Sequence, residues 1–309
     1  MCDKDLTKKE ICKFNRFGKT MMHKNSGDMN KIKSWVNDLG VDINIKSERR
    51  EYTPIFSYIK ECGRKNLDVK ILEEYKSLGA NILTKDKDNN TLLHILMQEI
   101  GYSFCREEVV NFEETILKII RFLTSNGLNF TDKNTKGRNP LHLVTVYSKA
   151  DNEILLLILK EFKHLINIEQ KNNSGETFLL SYVKHNYEYD LKVLKNIIHI
   201  LGCNLSTTDN NSNTLLHKIN PSNSDFCNIL KYLSKIYINI NAENSEHKTP
   251  LDKYVKNRYI SNSSTDEEIS KLQNDIKSFI ENGANIEKFS LVSLFQNYYY
   301  FYSNCNYKK

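Results

Sequence analysis

The sequence predicts an all-α fold made of stacked two-helix repeats, and three observations support this prediction. A short motif occurs seven times in the 309 residues: Thr or Asn, two mostly apolar residues, and often a His. The first positions of successive copies lie 33 to 48 residues apart. A marker containing glycine follows most copies, and between the markers apolar residues recur at helical spacing. Each unit is therefore predicted to consist of a turn, two helices, a glycine stop and a loop.

The residue types of the motif have physical reasons. A Thr hydroxyl just before an apolar run caps the first amides of a helix, and Pro suits the first turn because its missing N–H costs nothing there. Four histidines at one repeat phase indicate architecture rather than a ligand or a base, so we expect each ring to hydrogen-bond its turn. The motif residues are Thr20, His23, Thr53, Pro54, Thr91, His94, Pro140, His142, Thr177, Thr214, His217, Thr249 and Pro250.

The glycine of the second marker is the residue type that ends a helix in the left-handed conformation. These glycines are Gly40, Gly79, Gly127, Gly202 and Gly283. The fourth and sixth repeats lack a glycine at this position. Near the end of the chain, Thr265 and Glu268 are spaced as a capping box that opens the last repeat's second helix.

These signals divide the chain into a leader, a repeat domain and a tail. The leader is residues 1–17, the repeat domain is residues 18–286, and the tail is residues 287–309. The approximate repeats are 18–45, 51–83, 89–131, 137–169, 175–206, 212–241 and 247–286. Because a terminal repeat exposes an apolar face, we expect the tail to form a capping helix. Two stretches have either a structural or a functional role. They are residues 99–114, inserted in the third repeat, and the aromatic run at residues 298–302.

The sequence contains no motif of an enzyme, cofactor or metal site. Gly18-Lys19-Thr20 ends like a phosphate loop, but no glycine precedes it at the required spacing. The net charge of +6 comes from basic residues scattered among acidic ones, which does not favour nucleic-acid binding. Seven dispersed cysteines favour a reducing compartment, and no signal peptide or membrane-spanning run is present. We expect a protein of the cytoplasm, with the nucleus as an alternative.

The repeat resembles that of the ankyrin family over about residues 18–286, with Thr-Leu-Leu-His at residues 91–94 and 214–217 in place of Thr-Pro-Leu-His. Its degenerate copies and its bias toward Asn, Lys and Ile resemble the ankyrin proteins of poxviruses. That resemblance implies an adaptor that binds and sequesters a host protein in innate-immune or host-range control, for example in NF-kappaB signalling. Many such proteins end in an F-box-like tail that recruits a ubiquitin ligase. Here no proline follows Pro250, so the Leu-Pro entry usual in such tails is missing.

Several interpretations of function therefore stay open. The first is a non-catalytic interaction scaffold, expected to be a monomer, that binds a host protein. A second is an adaptor that recruits a ubiquitin ligase through its tail. A third is an ankyrin effector of an intracellular bacterium, or a protist's own ankyrin protein.

Stacked repeats offer an extended concave surface made of turn tips and first helices. The predicted tips are residues 85–89, 132–136, 170–174, 208–211 and 243–246. Aromatic and Arg side chains dominate interface energies, so those on the first helices are candidate partner-binding residues. The candidates are Tyr58, Met97, Tyr147, Tyr182, His185, Tyr254 and Arg258.

Overall fold

The computed structural model describes residues 6–61, 67–101, 111–145, 152–186, 189–221, 223–236, 238–257 and 265–285. Within these ranges the regular structure is entirely helical, with no strand. The prediction of an all-α fold made of consecutive helix pairs is confirmed.

The first of two compact units spans Met1–Asn173. Its helices are α1 (Lys8–Cys12), α2 (Met21–Lys24), α3 (Met29–Asn37), α4 (Pro54–Glu61), α5 (Val69–Ser77), α6 (Leu92–Gly101), α7 (Phe112–Ser125), α8 (Pro140–Val144) and α9 (Asn152–Phe162). The first helices of its repeats, α2, α4, α6 and α8, contact one another in chain order. The second helices α5, α7 and α9 do the same, and the leader helix α1 contacts α2.

The second compact unit spans Ser174–Lys309. Its helices are α10 (Phe178–His185), α11 (Leu191–Leu201), α12 (Leu215–Lys218), α13 (Phe226–Lys235), α14 (Pro250–Asn257) and α15 (Asp266–Glu281). The first helices α10, α12 and α14 contact one another in chain order, and the second helix α13 contacts α15. This unit therefore repeats the arrangement of the first.

The core lies between the helices, where their apolar rows meet. Helix α7 shows the pattern: Ile116, Ile119, Ile120 and Leu123 follow helical spacing, and none of the four is exposed. Burying one such side chain stabilises the fold by about 1.5–3 kcal/mol. An isolated repeat cannot bury both of its faces, so each helix pair depends on its neighbours.

Helix ends follow the local chemistry of the sequence. The five marker glycines, Gly40, Gly79, Gly127, Gly202 and Gly283, all have φ between 61° and 93°. The fourth repeat lacks this glycine, and its second helix passes instead into a 3₁₀ turn at Lys163–Leu165. At the start of α15, the predicted capping box is present: the N–H of Glu268 donates to Thr265 Oγ1 at 3.2 Å, and the N–H of Thr265 donates to Glu268 Oε2 at 2.9 Å.

Parts of the sequence interpretation fall outside the described residues. They include residues 102–110 of the insertion, Tyr147, Arg258, and the tail 287–309 with its aromatic run at residues 298–302. The capping helix expected in the tail therefore stays a prediction.

Gly137 provides a test of repeat stacking. Its φ is +67°, and a Cβ added there would lie 2.8 Å from the backbone nitrogen of Asn173 in the next loop. We expect Gly137→Ala to lower the free energy of unfolding by about 2–4 kcal/mol, because a left-handed alanine and an overpacked contact both cost energy.

The matched control is Gly79→Ala, where φ is +85° but a Cβ would meet nothing within 4 Å. This variant should lose only about 1 kcal/mol. Urea unfolding of both variants measures the difference, and equal losses would contradict the close approach of the two loops.

Candidate functional site

The start of α6 shows how each motif links two repeats. The N–H of Thr91 donates to Nδ1 of His94 at 3.2 Å, and the Thr91 hydroxyl lies 2.8 Å from the same nitrogen. Because Nδ1 accepts a backbone hydrogen bond, the neutral ring carries its proton on Nε2. That Nε2–H donates to the backbone carbonyl of Arg138 in the next repeat, at 3.0 Å. The ring of His94 is fully buried.

The same contact recurs at other repeats. His23 Nε2 lies 2.6 Å from the carbonyl oxygen of Tyr52, and His217 Nε2 lies 2.9 Å from that of Lys248. Where the seventh repeat has no His, Asp252 Oδ2 accepts instead, from the N–H of Thr249 at 2.8 Å and from its hydroxyl at 2.9 Å. These contacts give the motif histidines a structural role.

We call the loop before each first helix a finger, and in four repeats one buried Asp or Asn holds it. In the third repeat, Asp86 Oδ1 accepts from the N–H groups of Asp88 at 2.9 Å and Asn90 at 2.7 Å. Asn134, Asp209 and Asn244 make the matching pair of bonds in their own fingers. The backbone of each of these four fingers is therefore tied to one buried side chain.

Backbone hydrogen bonds connect neighbouring fingers within each unit. In the first unit, the N–H of Thr135 donates to the carbonyl of Asp88 at 2.9 Å, and that of Asn173 donates to the carbonyl of Lys136 at 3.1 Å. In the second unit, the N–H of Ser245 donates to the carbonyl of Asn211, also at 2.9 Å. The fingers and first helices together form a surface that we call the finger face of each unit.

Four of the candidate partner-binding residues do not lie on this face. Tyr58, Met97 and Tyr182 have no exposed area, and Tyr254 is 4% exposed. Tyr58 accepts from the N–H of Asp68, Tyr182 packs on Tyr189 with ring centroids 5.1 Å apart, and the Tyr254 hydroxyl donates to Asp275. These four side chains turn into the repeats, so placing them on the partner surface was wrong.

Repeat phase explains this correction. Tyr58, Tyr182 and Tyr254 each lie five residues after the Thr of their motif, a position that turns into the core. The position seven residues after the Thr instead reaches the finger face, as Lys60 and Lys184 do. His185 is half-buried, and its Nδ1 lies 3.0 Å from the carbonyl oxygen of Ser181. Counting from the Thr would have separated the core positions from the surface positions.

On the finger face of the first unit lies a groove of about 520 Å³. Its lining comes from fingers and from helices α4, α6 and α8. The lining residues are Lys19, Arg50, Tyr52, Lys60, Glu61, Asp88, Asn90, Gln98, Asn134, Thr135, Lys136, Arg138 and Leu143. Five of these side chains are basic and two are acidic, so the groove is positively charged.

The finger face of the second unit carries a buried ion network. Lys218 Nζ lies 2.6 Å from Glu176 Oε1 and 2.6 Å from Asp209 Oδ2, while Lys184 Nζ lies 2.8 Å from Glu176 Oε1. The Lys218, Glu176 and Asp209 side chains are 8%, 3% and 4% exposed. Lys253 Nζ adds a hydrogen bond of 2.8 Å to Asn213 Oδ1. Three lysines and two carboxylates thus meet on one surface.

Burial and charge oppose each other in this network. Burial alone would raise the pKa of Glu176, but hydrogen bonds from Lys184 and Lys218 outweigh it and lower that pKa to about 2. Burial lowers the pKa of Lys253, and the nearby Lys218 ammonium lowers it further. Lys253 is therefore a lysine whose charge is only partly compensated by the protein.

Two other features, a group of metal ligands and a membrane-spanning helix, do not occur among the described residues. None of their groups of His, Cys, Asp or Glu is arranged so that three or more could hold a metal ion. Among the helices of these ranges, none combines the length and apolar character that crossing a bilayer needs.

Comparisons with known proteins give weak sequence relatives and a clear structural one. No protein-family model matches the chain. It is similar to a UPF0507 protein of Saccharomyces cerevisiae, with 28% identity over 283 residues that cover 82% of this chain and 36% of the yeast protein. A UPF0507 protein from another strain of this yeast is 29% identical over 233 residues, covering 68% of this chain and 20% of that protein. The chain therefore spans about a third or less of these relatives' length.

Among solved structures, the chain is similar to the ankyrin repeat domain of Bcl-3, described as a unique member of the IkappaB protein family. The TM-score is 0.54 at 15% identity, and the match covers 83% of this chain and 99% of that domain. The fold is that of an ankyrin-repeat solenoid. At this identity the likeness concerns the fold alone, and the comparisons give no support to the resemblance to poxvirus proteins.

His94 should make stability depend on pH. Burial lowers the pKa of His94 from 6.5 to about 4, so between these values the unfolded chain binds a proton that the folded chain does not. The stability that depends on the neutral His94 ring is therefore fully present above pH 6.5. Acidification to pH 4 should lower the free energy of unfolding by about 3 kcal/mol through this ring. Urea unfolding at a series of pH values measures the slope. His94→Gln should show a shallower slope, and an unchanged slope would argue against the buried neutral ring.

Lys218 tests the buried network. Lys218→Met leaves Asp209 without its ammonium partner and Glu176 with Lys184 alone, which should cost about 3 kcal/mol of stability. The control is Lys184→Met: its side chain is 42% exposed, so its loss should cost at most about 1 kcal/mol. Thermal or urea unfolding compares the two, and equal costs would show that the network is not desolvated as described.

Proposed function

We propose that this chain is a non-catalytic protein-protein interaction module that binds another protein through its finger faces. The observation that carries the proposal is that each unit, taken by itself, places charged side chains from its fingers and first helices on its own finger face. In the first unit they line the groove, and in the second they form the network around Lys218. The ankyrin-repeat fold supports this role, because stacked repeats offer extended binding surfaces.

Rigidity favours binding by such a surface. The finger backbones are fixed by buried side chains such as Asp86 and Asn134, so little conformational entropy is lost when a partner docks. Charged groups held in place in this way select partners by complementary charge and penalise those of like charge. The repeats thus act as a frame that positions the finger-face side chains.

The narrower roles indicated by the sequence remain hypotheses. Sequestration of a host protein by a viral ankyrin protein, as in NF-kappaB control, is supported by composition and degenerate repeats alone. Recruitment of a ubiquitin ligase would depend on the tail 287–309, which lies outside the described residues. A bacterial effector shares the same composition. The membership of Bcl-3 in the IkappaB family belongs to that protein, and the likeness to it supports only the scaffold role.

Affinity capture with charge variants tests the proposed function. We expect the wild-type chain to retain specific proteins from a yeast lysate, identified by mass spectrometry. Lys136→Glu combined with Lys253→Gln should lose them, because it changes the charge of both finger faces.

The matched control is Lys76→Glu with Lys160→Gln, which makes the same charge change at exposed positions on the second helices α5 and α9. It should retain the same proteins as the wild type. Retention of the full set by the finger-face variant would contradict the proposed binding surface.

A further inference from the structure

We propose that the groove on the finger face of the first unit binds an acidic peptide segment of the partner. This inference rests on the proposed function and names the chemistry that the partner presents. It concerns the first unit alone, where fingers and the helices α4, α6 and α8 enclose about 520 Å³. That volume lies within the range of known binding clefts.

The charges of the groove are only partly balanced by the protein. Three of its five basic side chains have acidic partners: Lys19 pairs with Glu61, Arg50 with Asp88 at 3.1 Å, and Lys60 with Glu99 at 2.8 Å. Lys136 and Arg138 have no acidic partner within the part of the chain that the structure describes. Two cations, two residues apart on one finger, are therefore available to attract a ligand.

These two side chains stand on a fixed backbone. The N–H groups of Lys136 and Arg138 both donate to Asn134 Oδ1 at 3.0 Å. The carbonyl of Arg138 accepts from His94, and the carbonyl of Lys136 accepts from the N–H of Asn173 at 3.1 Å. A guanidinium binds a carboxylate through two parallel hydrogen bonds, and a lysine on the same finger adds a second point charge.

The lining favours a peptide over a nucleic acid. Glu61 and Asp88 lie among the basic residues, and they would repel a continuous phosphate backbone. The aromatic ring in the lining, Tyr52, is only 8% exposed and stacks on Phe56 with ring centroids 5.6 Å apart, so it offers no platform for a base. An extended peptide can instead place its carboxylates at Lys136 and Arg138. At Glu61 and Asp88 it can place uncharged hydrogen-bond donors.

Selection from a phage-displayed library of random peptides on the full chain tests this inference. We expect the enriched peptides to carry a net negative charge. In fluorescence anisotropy, synthetic copies should lose at least about tenfold in affinity to Lys136→Glu/Arg138→Glu, and affinity should fall as salt is raised. Lys76→Glu/Lys160→Glu makes the same change of charge outside the groove and should leave affinity within about twofold.

A second variant keeps the test independent of folding. Lys136 is exposed, so Lys136→Glu alone should fold normally and still weaken binding several-fold. No enrichment, enriched peptides without acidic residues, or equal binding by the groove variant and its control would overturn the inference. So would tighter binding of a single-stranded oligonucleotide that the groove variant abolishes. If captured proteins still depend on the finger faces while acidic peptides fail, the proposed function stands and the acidic partner does not.

Discussion

The structure depends on a buried hydrogen bond that passes from one repeat to the next. The ring of His94 accepts from its own turn through Nδ1 and donates through Nε2 to the carbonyl of Arg138, 44 residues later. An unsatisfied polar group in such a buried place would cost about 1–3 kcal/mol, so the bond fixes where the following finger lies. His23 and His217 make the same connection in their own repeats.

This connection also links architecture to the candidate site. The carbonyl that His94 holds belongs to Arg138, whose side chain lines the groove of the first unit. In the second unit, His217 holds the carbonyl of Lys248, and the neighbouring Lys218 is the centre of the ion network. In both units, residues that connect one repeat to the next therefore coincide with, or lie beside, residues that carry charge on the finger face.

The two finger faces use charge in different ways. In the first unit, exposed cations such as Lys136 leave net positive charge at an open groove. In the second, Glu176 and Lys218 are almost fully buried, and the hydrogen bonds that Glu176 accepts outweigh the cost of burying its charge. The network adds a fixed arrangement of charges. Within it, the positive charge of Lys253 is only partly compensated. Both arrangements favour recognition by complementary charge over recognition by a large apolar patch.

The sequence by itself determined the repeat, the helix starts and the helix ends. These are local: Thr265 and Glu268 form their capping box within four residues, and Gly202 ends α11 because its own backbone adopts a left-handed conformation. The tertiary structure decided which side chains face a partner. A tyrosine such as Tyr182 is equally suited to a binding surface and to a core. Only its packing on Tyr189 shows that it is buried. Likewise, Lys218 meets Glu176 across 42 residues, a pairing set by how one repeat stacks on the next and not by either residue's neighbours in the chain.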